Sequence, residues 1–149
     1  MVRKDPTPVR FEPEVAARLS SWAAAQPGLS LSSAANRLVD EALRAEEHPG
    51  ITFRPGPTGR RAGLVSGPDV WEVVRSVRSA RESEPTFDQA EVVELVAGNT
   101  GLPVRLVEIA IGYWAAYPGE IDTEIAAAAA AEEALEAAWH RREELLSRR

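Results

Sequence analysis

The chain has 149 residues, of which 44% are hydrophobic and 27% are charged, and its net charge is −6. It contains no cysteine, which excludes disulfides and thiolate chemistry. Its longest apolar run, the alanine tract 126–131, is too short for a membrane span. The acidic balance argues against a protein that coats nucleic acid, but it is compatible with a small basic surface at one end.

Charge is distributed unevenly along the chain. Residues 54–81 carry six arginines against two acids, whereas residues 82–149 carry fourteen acids against five arginines. The basic start of the chain is not followed by an apolar segment, so no signal peptide is predicted. Together with the lack of cysteine, this favours a cytoplasmic location.

The first predicted element is a short strand in the sequence TPVRFE, residues 7–12. Val9 and Phe11 alternate with Pro8 and Arg10, which predicts one buried face and one exposed face. No matching strand follows until residue 51. The strand therefore needs a partner from elsewhere.

Two amphipathic helices follow this strand. Glu12-Pro13-Glu14 is a typical helix start, and the sequence QPG at 26–28 ends the first helix. Ser30 is the predicted N-cap of the second helix, which ends near Pro49. The apolar positions of the second helix are 31, 34, 35, 38, 39, 42 and 43.

A strand and two helices within residues 1–47 cannot enclose a core by themselves. The simplest solution is a second copy, in which two strands pair antiparallel across a two-fold axis above four interlocked helices. The pleat then places Val9 and Phe11 in the shared core and leaves Pro8 and Arg10 on the open face. This part of the chain is therefore predicted to form a dimer.

The stretches PVRFEPEVAARL and GLSLSSAANRLVDEAL resemble the ribbon-helix-helix family of transcription regulators, the CopG, Arc and MetJ type. In that family the paired ribbon reads bases in the major groove, and amides at the start of the second helix hold a phosphate. The DNA-binding residues that the resemblance implies are Arg3, Lys4, Pro8, Arg10, Ser30, Leu31 and Ser32.

Arg10 and Pro8 differ in what they offer to a base. Arg10 suits guanine through two hydrogen bonds, whereas Pro8 can only touch a thymine methyl group, so modest discrimination per half-site is expected. The alternative is that the ribbon serves only for dimerisation and that Arg10 is a solvated charge.

Residues 48–118 begin with a predicted β-hairpin. Ile51 and Phe53 alternate with polar residues on one side of the turn sequence PGPTG, and Ala62 and Leu64 alternate on the other. The glycines followed by Arg60 and Arg61 are also compatible with phosphate binding. A plain turn is favoured because the Gly-Lys-Ser/Thr of a P-loop is missing.

The next predicted helix is opened by Gly67-Pro68-Asp69 and carries two faces. Its core face is formed by Val70, Val73, Val74 and Val77. Arg75, Arg78 and Arg81 share another face, which is either solvated or contacts phosphate or an acidic partner, including the chain's own acidic tail. A candidate secondary basic patch comprises Arg60, Arg61, Arg75 and Arg78.

Residues 86–114 have the spacing of a helix-turn-helix. The predicted positions are Thr86 and Gln89 for a capping box, Ala97, Gly101 and Val107 for the turn and its packing, and Pro103 early in the second helix. The exposed start of that helix offers one cation, Arg105, and one anion, Glu108, in an acidic region. This favours a packing or protein-binding module over a DNA reader.

The region from His48 to about Ile125 resembles domain of unknown function family four-three-three. The stretches that carry the resemblance are HPGITF, GRRAGLVSGPDVWEVV, AGNTGLPVRLVEIAIGYWAAYP and EID, and SGPDVW stands where the family typically has GTRI. Members often occur as antitoxins beside PIN-like nuclease toxins. The resemblance therefore implies a PIN-like toxin as a partner of this region, or a role in assembly.

Residues 119–149 predict one long helix with acids early and arginines late, an order that suits the helix dipole. About 26 residues would span about 39 Å. Ile125, Leu135, Trp139 and Leu146 form a thin apolar stripe. The helix is either an arm that docks on a partner, as antitoxin tails often do, or a terminal helix packed on its own domain.

The sequence shows no catalytic constellation. His48 lies in a linker and His140 in a polar helix, so no histidine pair has the spacing of metal ligands. No carboxylate pair stands out from the many acids on the helix faces. We expect no enzymatic activity, no metal and no cofactor.

The predicted fold is mainly α with short β. It comprises a ribbon-helix-helix domain over 1–47, a hairpin and helix-turn-helix-like domain over 48–118, and a long C-terminal helix over 119–149. The favoured hypothesis is a dimeric, sequence-specific, nucleoid-associated transcription regulator of the antitoxin type. Its expected partners are a second copy or a higher oligomer of the same chain, operator DNA and a PIN-like toxin, with no membrane. The alternatives are a protein-interaction scaffold dimerised by its ribbon, and a free-standing transcription factor or nucleoid protein.

Overall fold

The computed structural model describes residues 5–57 and 59–147 of the chain. The chain divides into two compact units, residues 1–43 and 44–149, each of which is described by itself. Within the described ranges the fold has six helices and one two-stranded antiparallel sheet. The prediction of a mainly α fold with short β is therefore confirmed.

The six helices and the two strands of the hairpin in the described ranges lie close to their predicted positions. Their order is α1 (Pro13–Ala24), α2 (Leu31–Glu47), β1 (Ile51–Gly56), β2 (Gly59–Leu64), α3 (Val70–Ser83), α4 (Gln89–Thr100), α5 (Val104–Ala116) and α6 (Pro118–Ser147). The described residues 5–12 form no strand within the single chain, and the sheet of the described part consists of β1 and β2 alone. Strand pairing between two copies stays a prediction.

The first unit has a very small core. Leu19, Ala23 and Ala34 are its buried apolar side chains, and the half-buried Trp22 and Leu38 are among the side chains that pack around them. The α1 helix begins at Pro13, whose fixed φ suits the first helical position. A core of this size is far below what a stable domain usually buries.

The hairpin of the second unit has the predicted register. Ile51 lies opposite Leu64 and Phe53 opposite Ala62, so these four side chains share the face that packs on the core. On the other face Arg54 lies directly opposite Arg61. Two like charges at paired positions repel each other, so this pair needs an anion nearby.

The core of the second unit is formed by the hairpin, α3, α4, α5 and the start of α6. Tyr113, Leu64 and Ile121 are its largest fully buried side chains. Val70, Val73 and Val74 are buried and Val77 is half-buried, which confirms the predicted core face of α3.

The last turn of α2 belongs to this second unit. Arg44 donates from Nη1 to the Tyr113 hydroxyl at 3.0 Å and to Glu120 Oε2 at 2.7 Å. The His48 ring packs edge-on against Tyr113 and Tyr117. The boundary between the compact units therefore falls after residue 43, whereas the sequence suggested residue 47.

The helix-turn-helix spacing produces two helices, α4 and α5, that are bent by 114° at the connection between them. Gly101 ends α4 in the left-handed conformation, with φ of 73°, as the turn position requires. Pro103 is the N-cap of α5, one residue before its first helical residue.

The predicted capping box of α4 is wrong. Asp88, not Thr86, is the N-cap: its carboxylate accepts from the Glu91 amide at 2.9 Å, and the Asp88 amide donates to Glu91 Oε2 at 2.8 Å. Two overlapping motifs of the same form, Thr86–Gln89 and Asp88–Glu91, compete here. The second provides two carboxylates at the positive end of the helix, where negative charge is favourable.

Gly101 provides a direct test of the turn. We expect Gly101→Ala to lower the free energy of unfolding by about 1–2 kcal/mol, because a Cβ is strained at positive φ even though it would meet no atom within 4 Å. The matched control is Gly98→Ala, which lies inside α4 with equally open surroundings. It should raise stability by about 0.5–1 kcal/mol. Urea unfolding of both variants checks the opposite signs, and equal effects would contradict the interpretation.

The C-terminal helix α6 has two unlike halves. Near its start Ile121 is fully buried and Ile125 packs against the same core. From residue 129 to residue 147 every described residue is exposed. The start of α6 is thus a terminal helix packed on its own domain, and the rest extends away from it.

Candidate nucleic-acid interface

The first unit exposes a large amount of apolar surface. Val9 is 67% exposed and Val39 is 53% exposed. The other large apolar side chains on this surface are Phe11, Val15, Leu31 and Leu43. We call these six residues the apolar face of the first unit.

A groove of about 420 Å³ lies in the first unit, and three residues of the apolar face, Phe11, Val15 and Val39, line it. Phe11 and Val15 line it from the start of the chain, and Leu38 and Val39 line it from α2. Trp22 also lines the groove. A groove of this composition is what an apolar side chain of another molecule would fill.

The predicted base-reading residues lie on the exposed segment before α1. Pro8 and Arg10 are both exposed, and they alternate along the chain with Val9 and Phe11 of the apolar face. Glu12, at the end of the segment, has extended backbone angles. Arg3 and Lys4, the predicted N-terminal arm, lie outside the described residues.

The start of α2, where a phosphate contact is predicted at Ser30, Leu31 and Ser32, is a capped helix N-terminus. Ser30 Oγ accepts from the Ser33 amide at 3.1 Å, which confirms Ser30 as the N-cap. The first intrahelical bond runs from the Ala34 amide to the Ser30 carbonyl at 2.9 Å. The amides of Leu31 and Ser32 precede that bond, and both residues are exposed, so they are available to an anion.

The hairpin part of the secondary basic patch is used inside the fold. Arg61 Nη2 pairs with Asp69 Oδ2 at 2.8 Å, and Arg54 Nε donates to Asp69 Oδ1 at 2.9 Å. The Asp69 carboxylate therefore supplies the anion between the facing Arg54 and Arg61. Arg60 is half-buried and donates to the Phe53 carbonyl at 3.5 Å. Phosphate binding by Arg61 would require Asp69 to give up its partner.

The helical part of the patch is paired with α6. Arg75 Nη1 bonds Glu132 Oε1 at 2.7 Å, and Arg78 Nη2 bonds Asp122 Oδ1 at 2.6 Å. The indole N–H of Trp114 also donates to Asp122, and together with Arg78 it lowers the pKa of that carboxyl. Arg75 and Arg78 thus contact the chain's own acidic helix, which was one of the three interpretations of the sequence. Arg81 instead donates to the Phe87 carbonyl.

Asp69 and Glu124 form a polar cluster that the sequence did not reveal. Asp69 is buried and bonds two guanidinium groups, and the Trp71 indole N–H donates to it at 3.3 Å. Glu124 Oε2 is buried without a hydrogen bond among the described residues. Burial first, and then the nearby charges of Glu120 and Asp69, raise the pKa of Glu124 to about 7.

This raised pKa predicts a pH-dependent effect of Glu124 on stability. Because the fold disfavours the charged form, Glu124 destabilises the protein increasingly from pH 4.5, its ordinary pKa, to about pH 7. We expect Glu124→Gln to raise the free energy of unfolding by about 1–2 kcal/mol at pH 8, allowing for solvent screening at a half-exposed group. The gain should disappear at pH 4.

Urea unfolding at pH 8, 6 and 4 measures this effect. Glu133→Gln, on the exposed half of α6, is the matched control and should change stability little at any of the three pH values. A gain from Glu124→Gln that persisted undiminished at pH 4 would show that the side chain's charge is not the cause.

The described residues contain no group of three His, Asp or Glu side chains arranged to hold a metal ion. No single helix of the described ranges is long and apolar enough to cross a membrane. The α4–α5 pair meets that test only when its two sharply bent members are combined. Its residues Val92, Val96, Val107 and Ala110 are buried in the core.

The chain was compared with protein-family models, with curated proteins and with solved structures, and none of the three comparisons found a match.

Proposed function

We propose that the protein is a dimeric, sequence-specific DNA-binding transcription regulator of the ribbon-helix-helix type. It acts as the antitoxin and autorepressor of a toxin–antitoxin module and is associated with the nucleoid. The observation that carries the proposal is the exposed apolar surface of the first unit. There, the exposed residues predicted to read bases, Pro8 and Arg10, and the exposed N-terminus of α2 accompany an apolar face that one copy leaves exposed.

The apolar face supports dimerisation. Three buried apolar side chains cannot stabilise two helices alone, whereas six exposed large apolar side chains, three of which line the groove, supply the missing core once a second copy covers them. Val9 and Phe11 belong to this face and alternate with Pro8 and Arg10. Burial of the first pair would therefore present the second pair outward as a two-stranded ribbon.

The polar groups of the first unit support DNA binding. Arg10 can donate two hydrogen bonds to guanine, and the amides of Leu31 and Ser32 lie at the positive end of α2, where a phosphate is favoured. In the second unit, by contrast, Arg61, Arg75 and Arg78 are neutralised by internal carboxylates. The first unit is therefore the better candidate for the DNA interface.

Arg10→Ala tests this assignment. DNA recovered with the purified protein is sequenced, and binding to the enriched site is measured at two salt concentrations. We expect the variant to bind the enriched site about 10–100-fold more weakly, because each copy loses a bidentate base contact.

The matched control for Arg10 is Arg105→Ala. Arg105 is an exposed arginine near the start of α5, the helix that would read DNA if the second unit did so. The control should bind the site with unchanged affinity. Equal affinity of Arg10→Ala and the unmodified chain would refute the proposed interface.

Two alternatives predict different results. If the ribbon serves only to dimerise a scaffold protein, the purified protein would be dimeric, but no specific DNA would be recovered with it. A free-standing regulator would bind DNA without a toxin, so the neighbouring gene separates it from an antitoxin. A small PIN-like reading frame next door, whose product co-purifies with this chain, would favour the antitoxin.

A further inference from the structure

The distal half of α6 carries an apolar seam that its own unit leaves uncovered. Leu135, Trp139 and Leu146 are 72%, 57% and 67% exposed. With Arg142 they are spaced four, three and four residues apart, which is the seam of a coiled coil. Leu145, 74% exposed, flanks the same seam.

This seam continues an interface that already exists in the molecule. The same spacing, followed back along α6, passes through Glu132 and Ala128 to Ile125 and Ile121, which pack on the core. On α3, Arg75 contacts Glu132 while Arg78, later in the chain, contacts Asp122, so α3 and α6 run antiparallel. Beyond Glu132 the seam continues with the same spacing of residues, but its side chains are exposed.

The side chains along the seam suit a second copy of α6 in antiparallel orientation. In the register that places Leu135 opposite the Leu146 of another copy, Trp139 lies opposite Arg142, whose guanidinium can stack on the indole. A parallel pair would instead place Arg142 against Arg142, which is repulsive.

We propose that two copies of the chain associate through the distal halves of α6, antiparallel and with Leu135 of each copy packed against Leu146 of the other. The overlap of residues 135–146 is about 18 Å long. An interface of this length belongs to the weak, transient class, so the association depends on protein concentration. It is independent of the proposed DNA interface, and each dimer formed through the first unit could engage further dimers in this way.

Disulfide trapping tests the proposal cleanly because the chain has no cysteine of its own. Full-length Leu135→Cys and Leu146→Cys chains, distinguished by isotopic mass, are mixed in equal amounts at about 100 µM and oxidised. We expect the mixed disulfide to exceed either homodisulfide by about tenfold or more. Predominant homodisulfides, or the statistical 1:2:1 mixture expected of random collision, would overturn the proposal.

Two charge reversals sharpen the test. Arg142→Glu, introduced into both chains, should reduce the mixed product to the random level, because a carboxylate then faces the indole of Trp139 in place of the guanidinium. Arg141→Glu changes the net charge equally but lies off the seam, and it should leave the product unchanged. Equal effects of the two reversals would also overturn the proposal.

The trapping is repeated in chains that carry Val39→Glu on the apolar face of the first unit. The excess of mixed disulfide should persist there, since the seam of α6 does not involve that face. Loss of the excess in this background would show that the trapped contact depends on the first unit and would contradict pairing through α6.

Discussion

Asp69→Ala is expected to lower the free energy of unfolding by about 3 kcal/mol, measured by urea denaturation. The substitution leaves Arg54 and Arg61 facing each other across the hairpin without the carboxylate that bonds both. It also removes the acceptor of the Trp71 indole N–H. The cost is large because the side chain of Asp69 is only 7% exposed, so water cannot readily replace it.

Asp88→Ala is the matched control for Asp69. Asp88 is also an aspartate that precedes a helix, but it is exposed and its carboxylate accepts one amide hydrogen bond. Loss of such a cap costs about 1 kcal/mol. If Asp69→Ala proved no more destabilising than Asp88→Ala, the carboxylate would not hold the hairpin to the start of α3 as described.

Val39→Glu is expected to raise the dissociation constant of the proposed dimer by about a thousandfold. Val39 lines the groove of the apolar face, and each of the two copies would lose an apolar contact of about 1.5–2 kcal/mol and place a carboxylate against apolar side chains. Sedimentation measures the change over a range of protein concentrations. Both chains carry Arg142→Glu in this experiment, so that any pairing through α6 is removed.

The control for Val39→Glu is Arg37→Gln. It changes the net charge by the same amount and lies on α2, but it does not line the groove. We expect this variant to remain dimeric. A Val39→Glu chain that dimerised as tightly as the control would contradict the proposed dimer and leave the apolar face without its assigned partner.

The two units differ in how their arginines are bonded, and this difference bears on the proposed function. In the second unit, Arg54, Arg61, Arg75 and Arg78 are held by carboxylates of the same unit. Arginines engaged in this way stabilise a fold and are poorly available to phosphate. Arg10 lies on an exposed segment beside an uncovered apolar face, which is why the proposed DNA contact is assigned to the first unit.

The helices and the hairpin could be predicted because their signals are local. The positions of Val70, Val73 and Val74 fix one face of α3, and the alternation around the turn fixes which hairpin side chains face the core. The cap of α4 could not be chosen, since Thr86–Gln89 and Asp88–Glu91 both match the same motif within one turn. Only the observed hydrogen bonds decide between them.

The sequence alone therefore determined where the six described helices and the hairpin form, which of their faces are apolar, and that Ser30 caps α2, because periodicity and capping depend on residues a few positions apart. Only the tertiary structure decided which charges meet. Arg75 and Glu132 are 57 residues apart, and Arg78 and Asp122 are 44 apart, so no local pattern pairs them. The burial of Asp69 and of the Oε2 atom of Glu124, and the exposure of α6 beyond residue 128, follow in the same way from packing between distant segments.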